Sequence, residues 1–195
     1  MNNNSQYNLI KKSLLIATMV TIGSGISYWY IKKPKLEVEK TYVIYPLAND
    51  QRDIDDILQL FKDEIYALTT ADYDDVHAKL MRRSYNINDP SKDGTLLFYV
   101  MRDKKTDAFI GFLAIHRMTF YKGKILFLAV KPEFRGKRYA GELVKFAFDT
   151  FREMGMIKAM LTTRVDNVAG QKAYEREGFK KYQVYDGFVY YEVYL

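Results

Sequence analysis

The stretch "EFRGKRYAGELV", residues 133–144, places two glycines, an alanine and three cations (Arg135, Lys137, Arg138) where one sequence pattern gives way to another. Before it, residues 125–130 ("ILFLAV") form an unbroken apolar run closed by Pro132. After it, Leu143, Val144, Ala147, Phe148, Phe151 and Met154 recur at helical spacing. A strand that passes into a helix through small residues exposes the first-turn N–H groups, and these, with the helix dipole, form an anion site. The three cations add charge for phosphate oxygens. Taken alone, the stretch reads either as a phosphate cradle or as a solvated turn.

A second stretch able to do chemistry follows at residues 167–179, "NVAGQKAYEREGF". Asn167 suits a helix N-cap, and the phenol of Tyr174 is a proton donor or simply an aromatic of the core. The chain has no cysteine, which excludes disulfides, thiolate metal sites and a cysteine nucleophile. With His77 and His116 as its histidines, a His-rich metal site is not expected either. His116 shares a strand face with Phe112 and Ala114; it is a candidate general base and equally a hydrogen-bonded core histidine. Between residues 49 and 75 lie nine acidic residues against Arg52 and Lys62, either a solvated helix face or a surface for a cationic partner.

The elements that must position these residues are legible from periodicity. Residues 41–46 ("TYVIYP") read as a strand. Residues 50–68 carry Ile54, Ile57, Leu58, Phe61 and Ile65 at helical spacing, and a second helix is expected near residues 73–83. A turn-rich break at 86–94 leads to two apolar runs that form a hairpin around 104–107, then a polar break at 121–124 and the run 125–130. These last two runs are apolar on both faces and should be central strands. The cradle helix ends at Gly155, a strand follows at 158–165, then a helix from Asn167 stopped by Gly178, and a final strand or strand pair. The fold class is α/β: a mixed, mostly antiparallel sheet with helices on both faces.

The 195 residues hold one such domain, residues 41–195, plus an N-terminal extension. Residues 1–12 form a tail. Residues 13–31 contain no charge, a length whose helix would rise about 28 Å, near the hydrocarbon thickness of a bilayer. Lysines flank both ends, and Tyr28, Trp29 and Tyr30 sit where an interfacial belt would. The expectation is one transmembrane helix, with a cleaved signal peptide and a buried or interfacial helix as alternatives. Residues 32–40 form a charged linker. The three lysines after the span place the domain on the cytoplasmic side of a single-pass membrane protein. Residues 1–40 carry a net +4 of the chain's +6, so the domain holds little excess charge and no nucleic-acid partner is expected.

The cradle "RGKRYA" after Val130, Lys131 and Pro132, followed by "NVAGQKAYEREGF", resembles the acetyl-CoA-binding motifs of the GNAT superfamily of N-acetyltransferases, over essentially all of residues 41–195. The resemblance implies a GNAT-like fold, acetyl-CoA as co-substrate with no metal, and direct transfer of the acetyl group to a primary amine in a ternary complex. It further implies that Leu128, Ala129 and Val130 offer backbone hydrogen bonds to the pantetheine arm and thioester carbonyl. The N–H groups of Arg135, Gly136, Lys137, Arg138, Tyr139, Ala140 and Gly141 would hold the pyrophosphate. Asn167 would touch the pantetheine arm, and Tyr174 would protonate the departing thiolate. Many relatives carry a base on the strand before the loop, whereas "ILFLAV" has no carboxylate, which leaves His116 or a water chain. Arg138 stands where the family pattern has its first glycine; if that site needs positive φ, the side chain costs about 1–2 kcal/mol. The alternative reading is a catalytically silent acyl-CoA-binding or interaction module. The acceptor is an amine, possibly cationic, and the sequence leaves oligomeric state open.

Overall fold

The computed structural model describes residues 17–22, 26–31, 40–69, 71–84 and 95–195. They fall into two units, Met1–Lys40 and Thr41–Leu195. In the first, β1 (Ala17–Ile22) pairs antiparallel with β2 (Ile26–Ile31), Met19 opposite Trp29. This departs from the helix expected over 13–31. The reason is in the composition: β-branched and aromatic residues fill both halves, and Gly23 and Gly25 fall between them, which suits a hairpin as well as an apolar span. Among the described residues no helix is long and apolar enough to cross a bilayer.

The second unit runs β3 (Tyr42–Pro46), α1 (Gln51–Leu68), α2 (Tyr73–Arg82), β4 (Leu96–Asp103), β5 (Phe109–Arg117), β6 (Lys122–Val130), a 3-10 turn (Pro132–Phe134), α3 (Tyr139–Glu153), β7 (Lys158–Arg164), α4 (Val168–Arg176), β8 (Lys180–Tyr185) and β9 (Phe188–Tyr194). The strands make one sheet in the order β3-β4-β5-β6-β7-β9-β8. Of the neighbouring pairs, β6 with β7 is parallel and the rest are antiparallel. β5, apolar on both faces, is buried from Phe109 to His116 and lies in the middle, as expected.

Two cores cover the two faces. On one, Ile57, Leu60 and Phe61 of α1 and Leu80 of α2 pack on Phe98, Phe112 and Phe127, with the Phe61 ring 4.9 Å from Phe112 and 4.8 Å from Phe127. On the other, Leu143, Val144, Ala147 and Phe151 of α3 pack on Leu113, Ile115 and Ile125. Asp50 and Asp72 cap α1 and α2 by accepting the N–H of Arg52 and Asp75. A buried ion pair fixes α1 to the sheet. The Arg102 side chain on β4, 4% exposed, meets the Asp53 carboxylate, 2% exposed, at 2.6 Å, and a second carboxylate, Asp56, joins them. Its guanidinium is held well above the usual range by these two carboxylates and Tyr45, against the opposing effect of burial.

One boundary differs from expectation. β6 begins at Lys122, inside the polar stretch 121–124: Lys122 and Lys124 are half-buried and alternate with Gly123, which lies buried against the Phe151 ring. The chain closes with a strand pair, one of the two endings expected; every residue of β8 is exposed, so no alternation marks that strand.

Candidate active site

The geometry of the site begins with one extra residue. Across β5 and β6, Ala114 faces Phe127 and Ile115 faces Ile125, so Leu126 is a β-bulge. Its effect is visible in the faces: Ile125 points to the α3 side, whereas Leu126 and Phe127 both point to the α1 side. The parallel pairing of β6 with β7 ends at the same place, Ile125 opposite Leu161. Beyond it β6 pairs with β5 alone and β7 with β9 alone. The two strands splay, and the backbone N–H and C=O groups along one edge of residues 126–130 face the gap.

That gap opens into a cleft of about 950 Å³ that runs on past the N-terminus of α3. The first intrahelical bond of α3 is Glu142 N–H to Arg138 carbonyl, 3.2 Å, so the N–H groups just before it have no helical acceptor. Arg138 is the N-cap residue and contributes no side-chain cap. Gly136 has φ +78 and lies in open space, and Arg138 takes φ 66, ψ 12. The strained case therefore holds: a left-handed residue with a long side chain stands where a glycine would relax. Arg135 donates from Nε to the Val130 carbonyl at 3.0 Å, tying the loop to the end of β6.

Across the cleft, Asn167 caps α4 by accepting the Gly170 N–H at 3.0 Å and donates to Thr163 Oγ1 at 2.9 Å. Its cap role is thus a fact of the structure, and its second amide N–H remains for a ligand. Tyr174 is 9% exposed, edge-on to Phe179 and Tyr191 at 6.3 Å, and still borders the cleft. Burial pushes its phenol up to about 12, which keeps the hydroxyl neutral over a still wider pH range than a free tyrosine.

Every residue assigned from the resemblance lines the cleft except Lys137 and His116. The Lys137 ammonium lies 5.3 Å from the centre of the Phe134 ring. His116 is buried at the end of β5 opposite Lys124, near the start of β6, while the cleft opens past the other end of that strand. The structure does not bring it to the cleft. Of the acidic run, Asp53 and Asp56 bind Arg102, Asp50 and Asp72 are caps, and Asp75 pairs with Lys79. Asp55 and Asp63 accept the amides of Gln51 and Gln59. Most of that charge is committed to structure. Glu64, one of the nine acids of the run, also lines the cleft, as do Lys145, Lys172, Arg176 and Glu177, which sequence reasoning missed. The i,i+4 spacing of Lys172 and Arg176 was a readable signal of two cations on one helix face; for Glu64 the signal was the acidic run as a whole, which did not single it out.

A sheet parted at a bulge, with a helix N-terminus at one end and a buried phenol at its border, makes an elongated cleft lined by backbone groups that the strands leave unpaired. The acetyltransferase (GNAT) family model matches residues 55–179. The chain belongs to the acetyltransferase (GNAT) family. A segment of 81 residues is 37% identical to N-alpha-acetyltransferase 30 of Schizosaccharomyces pombe, covering 40% of this chain and 54% of that protein. The chain thus spans about half the length of this curated relative. Among solved structures, the fold is similar to Ard1 from Thermoplasma volcanium (16% identity, TM-score 0.62, 80% of this chain and 99% of that one). It is also similar to a GNAT family acetyltransferase from Elizabethkingia anophelis with acetyl-CoA bound (14%, 0.60, 80% and 100%). A third is spermidine N-acetyltransferase from Vibrio cholerae in complex with CoA and spermine (16%, 0.60, 79% and 95%).

Proposed function

We propose that the protein transfers the acetyl group of acetyl-CoA to a primary amine by direct attack in a ternary complex. The observation that carries this reading is the buried Tyr174 bordering the cleft where β6 and β7 part. In the proposed reaction the pyrophosphate binds the N–H groups of residues 135–141 and the pantetheine arm lies along residues 128–130, with Asn167 beside it. The amine nitrogen attacks the thioester carbon, the carbonyl oxygen is held by a β6 N–H, and the C–S bond breaks as the sulfur takes its proton from Tyr174. The amine's proton leaves through water.

The test is steady-state release of CoA thiol by the full-length protein with acetyl-CoA and a panel of peptide and polyamine acceptors. Turnover supports the enzyme; saturable acetyl-CoA binding with no turnover of any amine favours a silent acyl-CoA-binding module, the reading that Arg138 in the glycine position motivates.

For localisation, the uncharged stretch 13–31 with lysines on both flanks motivates, from sequence alone and against the β1–β2 hairpin, a single-pass attachment with the Thr41–Leu195 unit on the cytoplasmic side. Protein that pellets with membranes and resists carbonate extraction fits this; release into the supernatant refutes it.

A further inference from the structure

The described residues lining the cleft include two carboxylates, and they lie on opposite sides. Glu177, at the end of α4, sits behind α3: its Oε1 is 2.6 Å from where a Cβ on Gly141 would stand, and its Oε2 is 3.9 Å from Lys145 Nζ. Glu64 comes from α1, alongside Ala67 and Leu68.

The backbone at Glu64 is unusual. It has φ −123 and ψ 17 inside α1, a kink that re-aims the last helical turn. That turn is fastened to β7: Arg164 Nε donates to the Tyr66 carbonyl at 2.6 Å, the Tyr66 hydroxyl donates to Asp166 at 3.1 Å, and the Arg164 guanidinium lies 4.1 Å from the centre of the Tyr66 ring. On the other arm of the gap, Glu64 Oε1 meets Arg135 Nη2 at 2.8 Å. The kinked turn therefore spans the two splayed strands and holds one carboxylate at the mouth between them.

We infer that Glu64 is the anionic partner of a cationic acceptor, an amine bearing a second positive charge, and that Arg135 decides when Glu64 is available to it. This rests on the acetyl-transfer reading above. Arg135 belongs both to the phosphate loop and to this ion pair, and its Nε is already engaged by Val130. A pyrophosphate in the loop is a stronger bidentate acceptor than one carboxylate and competes for the Nη groups. Bound acetyl-CoA draws Arg135 toward the phosphates and leaves Glu64 with an uncompensated negative charge facing the cleft. A second cation on the acceptor supplies the compensation. Acetyl-CoA and a dicationic acceptor thus bind with positive coupling, while a monocationic amine feels little of it.

The experiment is Glu64→Gln in the full-length protein, read two ways. Calorimetric titration with acetyl-CoA is expected to show binding about two- to five-fold tighter, the range for losing one exposed competing ion pair. Steady-state kinetics with spermine is expected to show KM about ten-fold higher or more with little change in kcat, the loss of one charge-assisted contact; with tyramine, KM is expected to change little. Weaker acetyl-CoA binding would mean that Glu64 merely supports α1, and an unchanged spermine KM would mean that it does not meet the acceptor; either overturns the inference. Wild-type turnover of tyramine but not of spermine would also overturn the inference, whereas no turnover of any acceptor in the panel above means that the acetyl-transfer reading fails. The titration then still judges the Arg135 exchange on its own, and unchanged affinity rejects it.

Discussion

Replacing Arg138 by glycine is expected to move stability and cofactor affinity in opposite directions. Arg138 sits at φ 66, ψ 12, in the left-handed region, where a Cβ costs about 1–2 kcal/mol. Glycine removes that cost but brings back about 0.5–1 kcal/mol of unfolded-chain entropy. The net is a stabilisation of about 0.5–1 kcal/mol, or about 1–4 °C in Tm for a chain of this size. The same change removes a guanidinium that borders the cleft, and losing one charge-assisted contact to phosphate weakens acetyl-CoA binding by about ten-fold or more. Differential scanning fluorimetry and calorimetric titration of the purified full-length protein read the two effects. A companion variant, Gly136→Ala, supplies the opposite sign. Gly136 has φ +78 with open space around it, so its alanine costs conformation alone, about 1 kcal/mol. A lowered Tm in Arg138→Gly, or tighter acetyl-CoA binding, would refute the reasoning.

Three further outcomes are expected. Tyr174→Phe lowers turnover about 100-fold or more with acetyl-CoA affinity and Tm nearly unchanged, because the hydroxyl is the donor and the ring supplies the packing; an unchanged kcat removes the acid role. Arg102→Ala destabilises by about 3–5 kcal/mol, since it strands the buried Asp53 carboxylate; chemical denaturation reads this, and a loss below about 1 kcal/mol would show the pair to be weak. Alkali should unfold the protein through its buried tyrosines. Burial pushes Tyr174 and Tyr191 from 10.0 to about 12, the second helped by its bond to Glu175. The folded state keeps these protons longer than the unfolded one. Their contribution, about 2–3 kcal/mol each by linkage, is complete below pH 10 and lost as pH rises toward 12. Denaturant midpoints that stay flat across that window would contradict it.

The sequence was most informative where one local pattern determines one local structure. β5 and its neighbour are apolar on both faces, and nothing but a covered central strand satisfies that. The loop before α3 was readable as a strand-to-helix turn because glycines, cations and a following helix occur in order, and the helix that carries Tyr174 because an Asn cap and a Gly stop bracket it. Long-range geometry was opaque. The bulge at Leu126 is a single insertion within an unbroken apolar run, and no residue in "ILFLAV" announces it. His116 looked like a base because it alternates with core residues, but alternation fixes a face and says nothing of which end of the strand meets the cleft. Glu64 was one acid among nine, and only the kink and the reach of Arg135 separate it from the others. At residues 17–31, hydropathy and β-propensity favour different structures for the same residues, and the absence of charge could not decide between them.

The short β6–β7 ladder has a mechanical consequence. Strands β3 to β6, with α1 and α2, form one half of the sheet, and β7 to β9 form the other. Four facing residue pairs, from Lys122–Lys158 to Ile125–Leu161, join them in the sheet, with α3 packed behind. The gap is thus a seam, the place where the sheet parts at least cost, and those amides of residues 126–130 and 162–163 that face it, rather than β5 or β9, should be among the first in the sheet to exchange with solvent. A pantetheine chain laid along it supplies hydrogen bonds that the strands do not give one another. The ligand then works as a stitch: its binding free energy adds to the cohesion of both halves, and the domain should resist heat in proportion to how fully the seam is closed.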